Sequence, residues 1–388
     1  MSISALYLPE LSVFILLALA QLHMTTWVRQ RLRTSLDPIV WVITGASILL
    51  LGVGLLLNFP YLKNILSYSW WGFWLRGLGV IWGMIVAGVY VAALLCRKLP
   101  ALNPEFNPQR RHLIYTVRAA LLAAPVAITG YGVFIERHRF RLKEVNVPIP
   151  ALPRELDGLR LVQLSDIHFS PFLTAPELET VVSMANETHP HVALVTGDLI
   201  SFHGDDLETC LALLGGLKAD AGVLGCLGNH EIYAGAEEYA ARQGARLGID
   251  FLRTRSRTLR FGAAALHFAG VDYQRFRRPY LVGAEKLLST EANTVNVLLS
   301  HNPDVFPVAV NQGYDLTISG HTHGGQVNIE ILNESISPAR YFTKYVYGLF
   351  RDRGRAMYVT RGVGTVGVPA RIAAPPEIAL LRLCATSS

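Results

Sequence analysis

The chain has 388 residues, 51% hydrophobic and only 16% charged, with mean hydropathy +0.32 and a formal net charge of +6. A soluble domain carries about 25% charged residues, so a wholly soluble chain is excluded as the simplest reading, and the charge deficit sits mostly in the first 135 residues. The length allows two or three domains, and the four cysteines form no C-x-x-C pair, which removes zinc-knuckle and thioredoxin-like readings.

Four apolar stretches, 11–28, 38–59, 77–95 and 119–134, approach the roughly 20 residues that a helix needs to cross a bilayer core. They predict a transmembrane region of about four helices over residues 1–135. Trp70, Trp71 and Trp74 suit an interfacial aromatic belt, and Arg118 can snorkel to the interface. No Lys or Arg precedes the first stretch, so it does not read as a cleaved signal peptide. Arg29, Arg31, Arg33, Arg97, Lys98, Arg110 and Arg111 fall in the first and third loops, against Lys63, Arg76, Arg137, Arg139, Arg141 and Lys143 on the opposite side. That bias, with an Arg110-Arg111 pair like a degenerate twin-arginine signal, points to an integral protein of a bacterial cell membrane whose C-terminal region is extracytoplasmic. Basic residues flanking apolar segments favour membrane lipid over nucleic acid as the partner of the positive charge.

Residues 136–154 read as a basic linker stiffened by Pro148, Pro150 and Pro153, and residues 155–388 as a globular domain. Strand and helix patterns then alternate. Strands are predicted at 159–164, 192–196, 223–227, 264–270, 295–300 and 316–319, and helices at 176–189, 206–217 and 237–247. Thr174 and Glu177 form a capping box for the first of these helices. The last third is Gly-rich and strand-like. This is α/β architecture with a substantial sheet.

Five short motifs follow apolar, strand-like runs: Asp166-Ile167-His168, Gly197-Asp198, Gly228-Asn229-His230-Glu231, Ser300-His301-Asn302 and Gly320-His321-Thr322-His323-Gly324. Singly, each has a bland reading: a surface loop, a turn, a helix cap or a core histidine. Loops at the carboxyl ends of strands in α/β folds converge on one cleft. Together the five supply two carboxylates, one amide oxygen and four imidazoles besides His230. Such a mixture suits Zn, Mn or Fe better than Ca or Mg. Seven donors exceed one tetrahedral ion and suit two ions sharing a bridge, the arrangement that clamps an in-line displacement at phosphorus.

These motifs resemble those of the calcineurin-like metallophosphoesterase superfamily over roughly residues 155–385. The tail Val359-Thr360-Arg361-Gly362-Val363-Gly364, with Ala374-Pro375-Pro376-Glu377-Ile378 after it, resembles a subgroup of bacterial membrane-associated or exported phosphodiesterases of the YkuE and YaeI kind. The resemblance implies a four-layer αββα sandwich and two divalent transition-metal ions. It implies Asp166, His168 and His323 on one ion, Asn229, His301 and His321 on the other, and Asp198 bridging. It also implies that His230 contacts the substrate phosphate and assists the leaving group. The expected reaction is hydrolysis of a phosphodiester, phosphomonoester or pyrophosphate by metal-activated hydroxide.

The sequence leaves the substrate open. Arg253, Arg255, Arg257 and Arg260 form one basic stretch, and Arg275, Arg277 and Arg278 another beside Phe276 and Tyr280. They are either a solvated basic surface or a contact for anionic lipid or substrate phosphate. With the helical region, the second choice suggests a lipid-linked phosphoester. The alternatives are a phosphodiesterase acting on soluble nucleotides, and a non-catalytic membrane sensor with a metal-binding domain.

Overall fold

The computed structural model describes residues 8–32, 37–56, 70–99, 107–274, 280–331 and 334–386. The chain divides into two compact units, Met1–Ile135 with Gly367–Ala370, and Glu136–Val366 with Arg371–Ser388.

In the first unit, helices α1 (Leu8–Leu32), α2 (Asp37–Leu56), α3 (Trp70–Lys98) and α4 (Pro108–Phe134) follow one another. Small residues bring them together. A Cβ added at Gly54 would lie 2.5 Å from Gly79 Cα, and one at Gly88 would lie 2.7 Å from Pro125 Cβ. The Thr25 and Thr44 hydroxyls meet at 2.7 Å between α1 and α2. Elsewhere large apolar side chains point outward: Leu16, Val42, Leu49 and Leu113 are between 62% and 70% exposed. Among the described residues, two helices are long and apolar enough to cross a membrane, Gly72–Lys98 and Pro108–His138, so the structure supports two candidate spans of the four expected.

The second unit holds two six-stranded mixed sheets. In one the order is β1 (Arg141–Ile149), β14 (Glu377–Ala385), β2 (Arg160–Leu164), β3 (Val192–Thr196), β4 (Val223–Cys226) and β5 (Ile249–Phe251). In the other it is β12 (Gly348–Asp352), β13 (Arg355–Val359), β9 (Leu316–Ser319), β8 (Thr294–Leu299), β7 (Ala264–Gly270) and β6 (Arg255–Phe261). Strands β2 to β5 run parallel, as do β7, β8, β9 and β13.

Alternation of side chains across each strand builds the layers. Leu161, Leu194 and Leu224 of the first sheet meet Leu266, Val297 and Ile318 of the second in a core between the sheets. Val162, Leu164, Ala193 and Val195 point the other way, against Leu178, Val181, Ala185 and Leu211 of the helices Ala175–Glu187 and Leu207–Leu214. The far face of the second sheet is covered through Leu298 by Val305, Ala309 and Tyr314. The predicted capping box is present, with the Thr174 amide donating to Glu177 Oε2 at 2.7 Å.

Part of the segment read as a linker is a strand. Residues 141–149 pair with 377–385 in parallel, Val147 opposite Leu383. Pro148 disguises it in the sequence. A proline lacks the amide that an inner strand needs, but β1 is an edge strand and tolerates it.

Candidate metal centre

The chemistry-bearing motifs leave the carboxyl ends of parallel strands: β2 leads to Asp166 and His168, β3 to Asp198, β4 to Asn229 and His230, β8 to His301, and β9 to His321 and His323. The hydrogen-bond ladder continues past the strands. The Asp166 amide donates to Gly197 O at 3.0 Å, the His168 amide to Asp198 O at 3.0 Å, and the Gly320 amide to His301 O at 3.2 Å. Gln163 Nε2 ties the sheets together by donating to Ser319 O at 2.9 Å.

Seven of the eight predicted site residues come together at ligand distance. Asp198 Oδ2 lies 3.0 Å from His301 Nε2, 3.6 Å from His168 Nε2 and 4.0 Å from His230 Nε2. Asp166 Oδ1 lies 3.4 Å from His323 Nε2 and 3.9 Å from His301 Nε2. His168 and His323 face each other Nε2 to Nε2 at 3.1 Å. Three groups have ligand atoms within 4.8 Å of one another: Asp166, His168 and His323; His168, Asp198 and His230; and Asp198, His301 and His321. Asp198 belongs to two of them. Asn229 stands at the start of the helix Asn229–Ala234, buried beside His230.

The backbone is strained to achieve this. Asp166, His168, Asp198, His321 and His323 all have φ between 47° and 76°, the left-handed region that costs a side-chain-bearing residue about 1–3 kcal/mol. Such residues cluster where side-chain aim matters more than local stability. Two glycines make room for the donors. A Cβ at Gly228 would fall 2.1 Å from Asp198 Oδ1, and one at Gly320 would fall 2.4 Å from Asp166 Oδ2.

Burial and charge set the protonation. Burial would raise Asp198, but the imidazoles of His301 and His230 hold it well below the usual carboxylate range. Burial, with Asp198 nearby, pushes Asp166 up to about 6 against the pull of His301. Burial and neighbouring imidazoles lower His168 and His323 well below neutral, and His321 to about 4. Burial also disfavours a charged His301, yet the two carboxylates it faces raise it to about 10. His168, His321 and His323 are thus held as neutral imidazoles, the state that metal ligation requires, while the two carboxylates favour positive charge at His301.

Whether these residues fit cations is tested by their unused atoms. Asn229 Oδ1, His321 Nδ1 and His323 Nδ1 are buried without a hydrogen-bond partner, and His301 Nε2 faces only the Asp198 and Asp166 carboxylates. A buried polar atom left unsatisfied costs about 1–3 kcal/mol, and such oxygen and nitrogen donors beside two carboxylates fit metal ions.

Two supporting residues have no role in the sequence reading. Glu231, fully buried, accepts the amides of Gly228 at 2.7 Å, Leu199 at 2.6 Å and Asp198 at 3.0 Å. One carboxylate therefore fixes the β3 and β4 loops against each other. The signal was in the Gly228-Asn229-His230-Glu231 motif, where Glu231 occupies the third position of a helix start. Arg371, also fully buried, has no such signal. Its guanidinium donates to the carbonyls of Arg361, Gly362, Gly364, His323 and Ala374. That clamps the 361–364 loop, whose Val363 and Gly364 amides brace Ser165 O and Asp166 O at 3.0 and 2.8 Å. Arg371→Met strands these acceptors, so a loss of about 3 kcal/mol in unfolding free energy is expected. Denaturant melts of the variant would check it; an unchanged midpoint would remove the clamp.

The basic stretches divide. Arg253 pairs with Asp272 and Glu238, Arg255 and Arg257 with Asp250, and Arg260 with Glu291. The first stretch is thus matched by the chain's own acids, the plain surface reading. Arg275, Phe276, Arg277 and Arg278 lie outside the described residues.

The family profile for calcineurin-like phosphoesterases matches residues 159–325. The uncharacterized metallophosphoesterase YkuE of Bacillus subtilis is 30% identical over 289 residues, covering 72% of this chain and 98% of YkuE. A transmembrane protein with metallophosphoesterase domain from Danio rerio is 33% identical over 277 residues, 68% of this chain and 61% of that protein. Phosphodiesterase YaeI of Escherichia coli is 28% identical over 233 residues, 58% of this chain and 82% of YaeI.

Proposed function

The chain belongs to the calcineurin-like phosphoesterase family, and we propose that it is a membrane-anchored hydrolase of phosphodiester, phosphomonoester or pyrophosphate bonds that uses two divalent ions. The observation that carries this reading is the set of buried imidazoles gathered at ligand distance around two carboxylates, with the ring nitrogens His321 Nδ1 and His323 Nδ1 unpartnered. Asp166, His168 and His323 would hold one ion, Asn229, His301 and His321 the other, with Asp198 shared by both. Mn, Fe or Zn suits this mixture of imidazole and carboxylate. Bound there, the ions supply Lewis acidity at the phosphoryl oxygens and an acidified water.

The chain's own groups do the rest. Asn229 contributes a neutral oxygen, which limits the negative charge facing an anionic substrate. Tyr273, its ring 5.3 Å from that of His321, walls the second group. His230 is the proton donor to the leaving oxygen. Its Nδ1 is taken by Ser201 O at 2.5 Å, which sets the ring so that Nε2 faces the cleft.

The two long apolar helices and the transmembrane relatives support membrane attachment, and the loop charges support an extracytoplasmic catalytic unit. Protease added to sealed vesicles of known orientation would test the latter; protection of the C-terminal unit from the extracytoplasmic side would refute it. A lipid-linked substrate fits an anchored enzyme, with soluble nucleotides as the alternative.

Purified chain, loaded with Mn, Fe or Zn in turn, is expected to hydrolyse bis-p-nitrophenyl phosphate. Chelation should abolish turnover and metal restore it. Equal rates with and without chelator would overturn the metal-dependent reading.

A further inference from the structure

A second feature borders the metal centre and is not used by it. Gly324, which follows His323, forms one wall of a cavity of about 200 Å³, whose other lining includes Arg340, Lys344, Tyr347, Phe350 and Arg361. Among the described residues three cations line this space and no aspartate or glutamate does. That sets it apart from the arginines of β6, where Arg255 and Arg257 share Asp250 and Arg260 pairs with Glu291.

Arg361 is held for a purpose other than an ion pair. Its guanidinium lies 4.0 Å over the Tyr347 ring. Its stem passes so close to Gly324 that a Cβ there would meet Arg361 Cγ at 2.5 Å. Its Nε is buried without a hydrogen-bond partner. A guanidinium fixed on an aromatic face with donors to spare is pre-organised for the bidentate geometry of a phosphate. Arg340 and Lys344, both exposed, supply long, mobile cations at the rim.

We propose that this cavity is a second anion site, which takes a phosphate adjacent to the one held at the metal centre. The substrate class is a diphosphate or a closely spaced bisphosphate. The inference rests on the phosphoesterase reading only for what the neighbouring centre binds. Gly324 lines the cavity and is the chain neighbour of His323, so the two sites are adjacent. Two sources carry this chemistry, a soluble nucleotide and a membrane lipid. Tyr341 and Phe342, 89% and 82% exposed beside Arg340, are compatible with a rim that meets lipid.

The test is calorimetric titration of the full metal-loaded chain in detergent micelles, at constant free metal, with two matched pairs of probes: uridine monophosphate and uridine diphosphate, and farnesyl phosphate and farnesyl diphosphate. In the native chain the second phosphate should tighten binding by about tenfold or more in at least one pair. The pair that responds identifies the source. In the Arg340→Glu/Lys344→Glu variant, and separately in Arg361→Gln, that ratio should fall to about threefold or less. Turnover of bis-p-nitrophenyl phosphate, which has no second phosphate, should stay within about twofold in the double variant. A ratio near one for both pairs in the native chain, or a ratio that survives both variants, would overturn the anion site. Should the ratio behave as expected while no phosphoester is ever hydrolysed, the anion site stands and the catalytic reading falls.

Discussion

Asp198→Ala is expected to leave the chain with neither ion and with turnover of bis-p-nitrophenyl phosphate reduced by about a thousandfold or more. Asp198 Oδ2 is the point on which His301, His168 and His230 converge, at 3.0, 3.6 and 4.0 Å. Oδ1 accepts the His230 amide at 2.9 Å. Removing the side chain therefore removes a charge shared by two donor groups and releases the start of the helix that carries Asn229. Asp198→Asn separates these effects, since its amide oxygen can still accept the His230 amide while the charge is gone. Metal analysis and rates on both variants, with thermal melts as the folding control, make the comparison. Full occupancy by two ions in Asp198→Ala would displace this residue from between them. Occupancy in Asp198→Asn without turnover would mean that geometry retains the metal and charge drives the reaction.

Much of this centre was readable from the chain because its residues sit directly after strands. β3, β7 and β9 run over the residues predicted, and every predicted donor emerges at a carboxyl end where parallel strands must bring it to a common edge. The less readable parts fail for identifiable reasons. β1 was read as linker because Pro148 argues against a strand unless the strand is known to be an edge, and edge position is a tertiary fact. β6 was read as a basic stretch because Arg255 and Arg257 on one side of the strand and Arg260 on the other are all exposed; their acids, Asp250 and Glu291, are fixed only by the fold. Arg371 acts on backbone carbonyls, which have no sequence signature, whereas Glu231 was marked by its third position in a helix start. All four apolar stretches lie in helices, and among the described residues the third and fourth are long and apolar enough to be candidate spans. The Arg340, Lys344 and Arg361 cavity joins residues up to 21 positions apart, and only folding sets them around one space.

His230→Ala is expected to lower kcat by about 10²- to 10⁴-fold, the usual worth of a positioned proton donor, while two ions remain bound. The geometry allows a competing role, because His230 shares a ligand-distance group with His168 and Asp198. Three features argue for proton transfer instead. Its Nε2 stands 4.0 Å from Asp198 Oδ2, where that of His301 stands at 3.0 Å. Its side chain is 15% exposed, against 0% for His168 and His301, so a substrate can reach it. Phe202 and Tyr233, with ring centroids at 6.2 and 5.8 Å, flank it as walls of an entrance rather than as a seal. His230→Asn keeps a polar group of similar reach without a titrating nitrogen, so it should be as slow as His230→Ala if proton transfer is the role. Substrates with a better leaving group need less protonation, so the deficit of both variants should shrink from an alkyl ester to a p-nitrophenyl ester. Loss of one ion in His230→Ala, or a deficit equal for both esters, would make His230 a ligand or a binding group, and the proton would have to come from elsewhere in the cleft.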